Sequence, residues 1–235
     1  MKPSKSNRPF LISITGDIAS GKSFAKKYFQ DKDYQVYSAD EINAQILKDK
    51  VVIKQLSLIF GKSILNKKPE NGDYEIDKAK FRKKIFSKEK NVIILSNYLH
   101  PMILTKMLDY VTNSQEKILI FEVPLLFECD LIDCFDLNVL ITADYQTKID
   151  RVMIRDNCTE STAKNILKNQ ISQEVKQILA DVVIDNSSDF ESFNKQLDVL
   201  EKCIKFFKKK RKIRPFIKRN PIYDSHSKMI EEEYE

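Results

Sequence analysis

A glycine-containing turn near the start of the chain has the residue types and spacing of a phosphate-binding loop. Residues 16–23 read Gly-Asp-Ile-Ala-Ser-Gly-Lys-Ser and directly follow an apolar run at residues 10–15. After a strand, such a turn points successive backbone N–H groups at an anion, and the next helix adds its positive N-terminal end. Lys22 would reach the β- and γ-phosphates of a nucleoside triphosphate, and the Ser23 hydroxyl would bind Mg²⁺. The alternative, a chance match in an ordinary strand-turn-helix, is disfavoured by the preceding strand pattern.

Asp40 is the second residue whose position suggests chemistry, because it follows an apolar run at residues 35–38. In an open parallel sheet the carboxyl ends of the strands face the ligand crevice, which would place Asp40 near the terminal phosphate. There a carboxylate could accept the proton of an attacking hydroxyl or help to organise Mg²⁺. Alternatively, Asp40 caps the helix that begins at Glu41. We expect the Lys22 ammonium and the Asp40 carboxylate to face each other across one pocket.

Five short apolar runs predict the strands that position these groups. They lack the alternation of a half-exposed strand, which is typical of a parallel sheet covered by helices on both faces. The segment between the second and third runs is far longer than a crossover helix needs and predicts a helical insertion. The runs are residues 10–15, 35–38, 117–122, 137–142 and 181–185. Apolar residues at three- and four-residue spacing predict helices at residues 23–30, 40–60, 77–114, 146–155, 159–169 and 190–209.

Composition indicates a globular protein with a sizeable core, since 42% of the 235 residues are hydrophobic. No run approaches the roughly 20 apolar residues that span a bilayer, so we expect no membrane insertion. The N-terminal residues lead into the first strand without a cleavable apolar segment, which favours a cytoplasmic protein. The four cysteines lack paired metal-ligand spacing and are interpreted as reduced thiols. They are Cys129, Cys134, Cys158 and Cys203.

The net charge of +6 comes from residues 202–235, which make up all but the first residue of the C-terminal extension at residues 201–235. Residues 1–201 carry 29 Lys and Arg against 29 Asp and Glu, whereas residues 202–235 carry 11 against 5. A basic tail of this kind could bind a nucleic acid, an anionic lipid or an acidic protein surface. Because the neutral body offers no basic groove, we favour a solvated, poorly ordered tail.

Further motifs follow the first two in a fixed order: Leu99-His100-Pro101, the run Phe-Glu-Val-Pro-Leu-Leu-Phe-Glu at residues 121–128, Arg151-Val-Met-Ile-Arg155-Asp156, and the run Ala-Asp-Val-Val-Ile-Asp-Asn at residues 180–186. With the phosphate loop and Ser38-Ala39-Asp40, this series resembles the dephospho-coenzyme A kinase family over about residues 9–190. The resemblance implies an α/β fold: a five-stranded parallel P-loop kinase core flanked by helices, with a helical acceptor-binding insertion and a lid. The implied boundaries are a core at about 9–44, 115–144 and 178–200, an insertion at about 45–114 and a lid at about 145–177.

The activity that the resemblance implies is transfer of the γ-phosphoryl group of ATP to the ribose 3′-hydroxyl of dephospho-coenzyme A, with Mg²⁺. This is the last step of coenzyme A biosynthesis. One alternative is a kinase of another small metabolite, such as a nucleoside monophosphate. Another is an NTPase whose basic tail binds nucleic acid. The oligomeric state and the role of the tail are not determined by the sequence.

The resemblance also implies roles for single residues. Asp40 would be the general base, and Lys22 would act on the transferring phosphoryl group. Arg151 and Arg155 would stabilise charge on that group or pack against adenine. The two arginines are four residues apart and share a helix face, but they could also be surface partners of Asp150 and Asp156. The residues expected to bind the nucleotide are Gly16, Asp17, Ile18, Ala19, Ser20, Gly21, Lys22, Ser23, Phe24 and Asn186, the last beside the adenine ring or merely in a turn.

Substrate contacts are expected from Asp40, His100, Pro124 and Leu125. His100 could instead be a structural residue before a proline-bounded helix. Glu122 could act on Mg²⁺ through water or cap the next segment, and Gln170 and Lys176 lie where the family's lid returns to the core.

The loop and the second motif depart from the usual family pattern. Ser38 stands where a carboxylate is usual, and Ala44 where Arg or His is common, so the Mg²⁺ shell and one substrate contact are expected to differ. Because a carboxylate would repel phosphate, Asp17 must point away from it. Because the loop acts through backbone N–H groups, Ala19 is tolerable in place of glycine if its φ is negative.

Overall fold

The computed structural model describes residues 8–67, 72–168 and 171–210. These residues form two compact units, one of residues 8–38 and 111–210 and the other of residues 39–110. The strands are β1 (Phe10–Gly16), β2 (Gln35–Ser38), β3 (Leu65–Lys67), β4 (Tyr74–Ile76), β5 (Ile118–Glu122), β6 (Leu137–Thr142) and β7 (Val182–Asp185). The helices are α1 (Lys22–Gln30), α2 (Ala39–Ile46), α3 (Lys50–Phe60), α4 (Lys78–Phe86), α5 (Glu89–Asn113), α6 (Tyr145–Asp156), α7 (Glu160–Leu167), α8 (Gln173–Leu179) and α9 (Phe190–Lys210).

The first unit is built on a parallel five-stranded sheet with the order β2-β5-β1-β6-β7. Every residue of β1 and β6 is buried, as the absence of alternation predicts for strands covered on both faces. On one face, the side chains of Ile12, Phe29, Phe193 and Leu197 belong to a single buried cluster, so α1 and α9 pack there together. The predicted α/β fold with a five-stranded parallel sheet is confirmed. Its central strand, β1, delivers the chain to the phosphate loop.

All five predicted strands are present, with ends within one residue of those expected. The predicted helix at 40–60 is two helices, because the Asp49 side chain accepts hydrogen bonds from the Val51 and Val52 N–H groups and starts α3. The segment 77–114 likewise forms α4 and α5. The β3–β4 hairpin and α8 were not predicted, since three-residue strands and a seven-residue helix are too short to show a period.

The second unit holds α2, α3, the antiparallel β3–β4 hairpin, α4 and nearly all of α5. Residues 39–44, expected in the core, group with this second unit, and the segment 145–177, expected to be the lid, groups with the sheet. The roles of core, insertion and lid stay predictions. Pro101 lies inside α5 and does not mark a helix boundary, so the expectation of a proline-bounded helix is wrong. Because Pro101 has no backbone N–H, one hydrogen bond of the α5 backbone is not formed.

The C-terminal extension is partly helical. Helix α9 continues to Lys210, so the first ten residues of the segment expected to be poorly ordered are in regular structure. The rest of the predicted tail, 211–235, and Gln170 lie outside the described residues. Within the described part of the chain, no helix is long and apolar enough to cross a membrane.

Candidate active site

The phosphate loop connects β1, which ends at Gly16, to α1, which begins at Lys22. Gly21 caps the helix in a left-handed conformation with φ 107°, which favours glycine because it has no Cβ. Ala19 also has a positive φ, 63°, so the condition of a negative φ is not met. A left-handed alanine costs about 1–2 kcal/mol, which the surrounding contacts must offset. The loop therefore has its tight turn without the additional glycine.

Gly16 is required by close packing. A Cβ at this position would lie 2.2 Å from the Ile141 carbonyl oxygen of β6 and 2.7 Å from Ser20 Oγ. Since Gly16 and Ile141 are register partners of adjacent strands, the carbonyl cannot move without breaking the sheet. The Ser20 hydroxyl is fully buried and has no hydrogen-bond partner among the described residues.

Lys22 and its helix neighbours occupy the end of the loop. The Lys22 ammonium donates to the carbonyl oxygens of Gly16 at 2.8 Å and Asp17 at 2.7 Å. Ser23 is exposed in the first turn of α1, as a metal-binding hydroxyl would have to be. The Phe24 ring lies 4.9 Å from the Phe190 ring, so this side chain packs against α9. Its assignment to the nucleotide stays a prediction.

Asp17 is the loop residue with the strongest electrostatic contacts. Its buried carboxylate accepts hydrogen bonds from Lys148 at 2.7 Å and from Lys176 at 3.0 Å, and both lysines are themselves buried. Burial alone would raise the pKa of Asp17, but the hydrogen bonds and charges of the two lysines outweigh it and hold the pKa below its usual value. The carboxylate is thus ionised and turned toward α6 and α8.

The two lysines have further partners. Lys176 also donates to Glu128 at 2.8 Å, and Lys148 donates to the side-chain oxygen of Gln173 at 2.7 Å. Sequence reasoning missed Lys148 and gave Lys176 no partner. The only signal was the acid in the loop, which requires a cation without saying which one.

Asn186 and Arg151 hold the loop from the other side. The buried Asn186 side chain donates to the Ser20 carbonyl at 2.8 Å, and its backbone follows directly after β7. The half-buried Arg151 guanidinium donates to the carbonyl oxygens of Ala19 at 3.2 Å and Asn186 at 3.0 Å. These contacts tie α6 and the segment after β7 to the loop.

Comparison with known proteins identifies the family of this chain. The family model described as dephospho-CoA kinase matches residues 10–192. The chain belongs to the dephospho-CoA kinase family. A dephospho-CoA kinase of Fusobacterium nucleatum subsp. nucleatum is 34% identical over 188 residues, covering 80% of this chain and 95% of that protein. The resemblance drawn from the motifs is confirmed.

Solved structures agree on the fold of this kinase-family chain. A protein from Thermus thermophilus has a TM-score of 0.72 at 22% identity and covers 83% of this chain and 98% of that one. A dephospho-CoA kinase from Campylobacter jejuni has a TM-score of 0.62 at 24% identity, with 83% and 96% covered. At these identities the likeness establishes the fold alone.

Within this kinase fold, the carboxyl edge of the sheet carries several of the predicted groups. Glu122 ends β5 and is the register partner of Ser38 in β2, and both are buried. The carbonyl of Pro124 accepts a 3.4 Å hydrogen bond from the Thr15 hydroxyl, and Leu125 is 50% exposed. The predicted wall residues therefore stand directly beyond β5 and beside the end of β1.

Other predicted residues of this kinase-family chain lie apart from the loop contacts. Arg155 is exposed and pairs with Asp156 through two 2.8 Å hydrogen bonds, as the surface alternative required. In the second unit, Asp40 is exposed in the first turn of α2, and His100 lies within α5. Burial lowers the pKa of His100, so its imidazole is neutral at pH 7. The shared Lys22–Asp40 pocket stays a prediction.

None of the four cysteines of this kinase-family chain is part of a disulfide. Burial, together with Glu128, raises the pKa of Cys129 to about 11. Burial and the nearby Asp133 and Asp130 raise the pKa of Cys134 to about 12. Among the described residues, no three His, Cys, Asp or Glu side chains form a metal site by themselves.

Proposed function

We propose that this chain transfers the γ-phosphoryl group of ATP to the ribose 3′-hydroxyl of dephospho-coenzyme A, producing coenzyme A and ADP. The observation that carries the proposal is the loop at residues 16–23, seated between a buried strand and α1 in a chain that belongs to the dephospho-CoA kinase family. In phosphoryl transfer the protein itself has little covalent chemistry to do, so positioning of the reactants and electrostatic stabilisation supply most of the catalysis.

The donor would bind at the loop. Its backbone N–H groups and the N-terminal end of α1 favour the phosphates of ATP. The Lys22 ammonium, now on the carbonyl oxygens of Gly16 and Asp17, would turn to the β- and γ-phosphates. Arg151 is next to the loop through Ala19 and would add positive charge to the transferring group. Arg155 would have to leave Asp156 to do the same.

The donor atoms near the loop suit Mg²⁺, which prefers hard oxygen ligands. Ser23 offers an exposed hydroxyl in the first turn of α1, and Glu122 offers a carboxylate at the end of β5. Mg²⁺ commonly keeps several waters and takes its remaining ligands from substrate phosphates, so a cluster of three acids is not required. When bound, the ion would neutralise charge on the phosphates. Ser23 would be its protein ligand, and Glu122 would hold a coordinated water.

The helical insertion, residues 45–114, would bind the acceptor, and Asp40 would contact its ribose hydroxyl. The Asp40 carboxylate would take the proton of the ribose hydroxyl as that oxygen attacks the γ-phosphorus atom. Neutral His100 could donate or accept a hydrogen bond with the substrate, while Pro124 and Leu125 would shape the wall of the crevice. The segment 145–177 would act as the lid that excludes water. The four free thiols suit the cytoplasm, where we place the reaction.

The test is an ADP-release assay with dephospho-coenzyme A, AMP and adenosine as rival acceptors. We expect turnover with dephospho-coenzyme A alone and dependence on Mg²⁺. Turnover of AMP or adenosine at a comparable rate would overturn the choice of acceptor. ADP release without any acceptor would indicate an NTPase instead.

The Asp40→Asn variant tests the base. We expect kcat to fall by about 10²–10⁴-fold, the usual contribution of a general base, while ATP still binds. Asp109→Asn, which removes an exposed carboxylate from α5, is the matched control and should keep full activity. Equal activity of the two variants would show that Asp40 is not the general base.

A further inference from the structure

A phosphate loop that contains a carboxylate has an electrostatic problem. The loop presents its N–H groups to an anion, yet Asp17 brings a negative charge into the same turn. Two like charges a few ångströms apart repel strongly in a site that excludes water. The side chain is 9% exposed, so water cannot screen it. Some other group must therefore cancel this charge before a triphosphate can bind.

The neighbouring charges show which group does so. Lys176 lies between two carboxylates, at 3.0 Å from Asp17 and 2.8 Å from Glu128. Within the described ranges, Lys148 donates to one carboxylate, that of Asp17 at 2.7 Å, and to the neutral amide of Gln173. The four charges sum to zero, with Lys176 balancing Glu128 and Lys148 balancing Asp17. Removing Lys148 would leave one unbalanced negative charge in the loop.

The position of Lys148 also fixes where the Asp17 carboxylate points. Lys148 is on α6, three residues before Arg151, so the two side chains lie on the same face of the helix. Arg151 donates to the Ala19 carbonyl, while Lys148 donates to the Asp17 side chain. Helix α6 is thereby attached to the loop at two points, and the carboxylate is drawn toward the helix.

We propose that Lys148 is a positioning residue that neutralises the Asp17 carboxylate and holds it away from the nucleotide, so that this loop can bind ATP. The inference rests on the proposed use of ATP at the loop. It differs from the alternative in which Lys148 contacts the phosphates itself. In the first case Lys148 is needed only because Asp17 is present, and in the second case it is needed regardless.

Four proteins separate these two cases: the wild type, Lys148→Gln, Asp17→Asn and the double variant. ATP affinity is measured by titration calorimetry with Mg²⁺ and no acceptor. We expect Lys148→Gln to weaken ATP binding by on the order of tenfold, since one buried negative charge is left unbalanced beside the phosphates. In the double variant the affinity should return to within about threefold of the wild type. Turnover of Lys148→Gln at saturating ATP should change much less than its KM for ATP.

Lys164→Gln is the matched control, because it removes one lysine charge from α7, where Lys164 pairs with the exposed Glu160. Its ATP affinity should equal that of the wild type. An equal loss of affinity on removing Lys148 with and without Asp17 would overturn the proposal, as would no loss in either. If Lys148→Gln does not fold, the double variant decides alone, since a directly binding lysine predicts that it binds ATP weakly.

The same titration distinguishes failure of this inference from failure of the proposed function. A wild type that binds ATP but does not phosphorylate dephospho-coenzyme A would disprove the acceptor and leave the inference standing. A wild type that does not bind ATP would overturn both.

Discussion

Two turns of this chain use glycine for different reasons. Gly21 ends the phosphate loop with φ 107°, and a Cβ there would lie 2.2 Å from the Asn186 side-chain nitrogen. Gly61 ends α3 in the insertion with φ 89°, but the nearest atom to a Cβ, Ser63 Oγ, is 4.0 Å away. The insertion turn needs glycine only for its backbone conformation. The phosphate loop needs it for the backbone and for a neighbour that holds the loop in place.

The difference extends to the charges around each region. The loop is held by buried groups: Asp17 pairs with Lys148 and Lys176, and Asn186 donates to the Ser20 carbonyl. The insertion has a capping carboxylate, Asp77, whose pKa is lowered mainly by hydrogen bonds from Lys80 at the protein surface. A surface contact of that kind is screened by water, whereas a buried network is not. Substitutions in the loop are therefore expected to affect distant helices, and substitutions in the insertion turns are not.

The largest effect is expected from Gly21→Ala. The added Cβ requires a strained φ and displaces the Asn186 amide from the Ser20 carbonyl, so the loop should lose its shape. We expect ATP affinity to fall on the order of a hundredfold. Titration calorimetry with ATP and Mg²⁺ measures it.

Gly61→Ala is the counterpart in the insertion. It should lower the free energy of unfolding by about 1–3 kcal/mol, the cost of holding an alanine at φ 89° and ψ 155°, and leave ATP affinity unchanged. Equal losses of ATP affinity in the two variants would contradict the comparison between the turns.

An intermediate effect is expected from Asp17→Asn on stability. Removing this carboxylate leaves Lys148 buried without a counter-charge, which should lower the free energy of unfolding by about 3 kcal/mol at pH 7. Because the pKa of Asp17 is lowered in the folded protein, its stabilisation is fully present above the unfolded pKa, about 4. This stabilisation is lost as the pH falls through the lower pKa that Asp17 has in the folded protein.

Urea unfolding of the wild type and Asp17→Asn from pH 7 down to pH 3 checks this prediction. The gap between the two proteins should be constant at neutral pH and narrow below about pH 4. Asp77→Asn is the control, since asparagine caps a helix about as well as aspartate and should leave stability nearly unchanged at neutral pH. A gap that widens with acid would contradict the network.

The smallest effect is expected from Ala19→Gly. Glycine removes the strain of a positive φ but adds conformational freedom to the unfolded chain, so the net gain in stability should be below about 1 kcal/mol. Thermal unfolding measures it, with Ala19→Val as the destabilising counterpart because a β-branched residue tolerates this φ poorly. A loss of stability in Ala19→Gly would show that the alanine is not strained.

The sequence was sufficient to predict the elements whose controlling interactions are local or periodic. The run at residues 10–15 predicted β1, and residues 16–23 predicted the loop, because strand, turn and helix are contiguous there. Helix starts inside longer apolar patterns were harder, as at Asp49, where a single side-chain cap divides one expected helix into two. The sign of the Ala19 φ could not be derived from local sequence, because the hydrogen bond that its carbonyl accepts comes from Arg151, far along the chain.

The amino-acid sequence by itself determined the sheet, the phosphate loop and the family, since these rest on short segments whose order is fixed by the chain. Only the tertiary structure decided how the loop is held. Asp17 is separated from Lys148 by 131 residues and from Lys176 by 159 residues. No spacing rule joins residues so far apart, and forty Lys and Arg residues were equally available as partners. Lys148 and Lys176 are the partners because folding brings α6 and α8 to the end of β1, where their ammonium groups are buried with the Asp17 carboxylate.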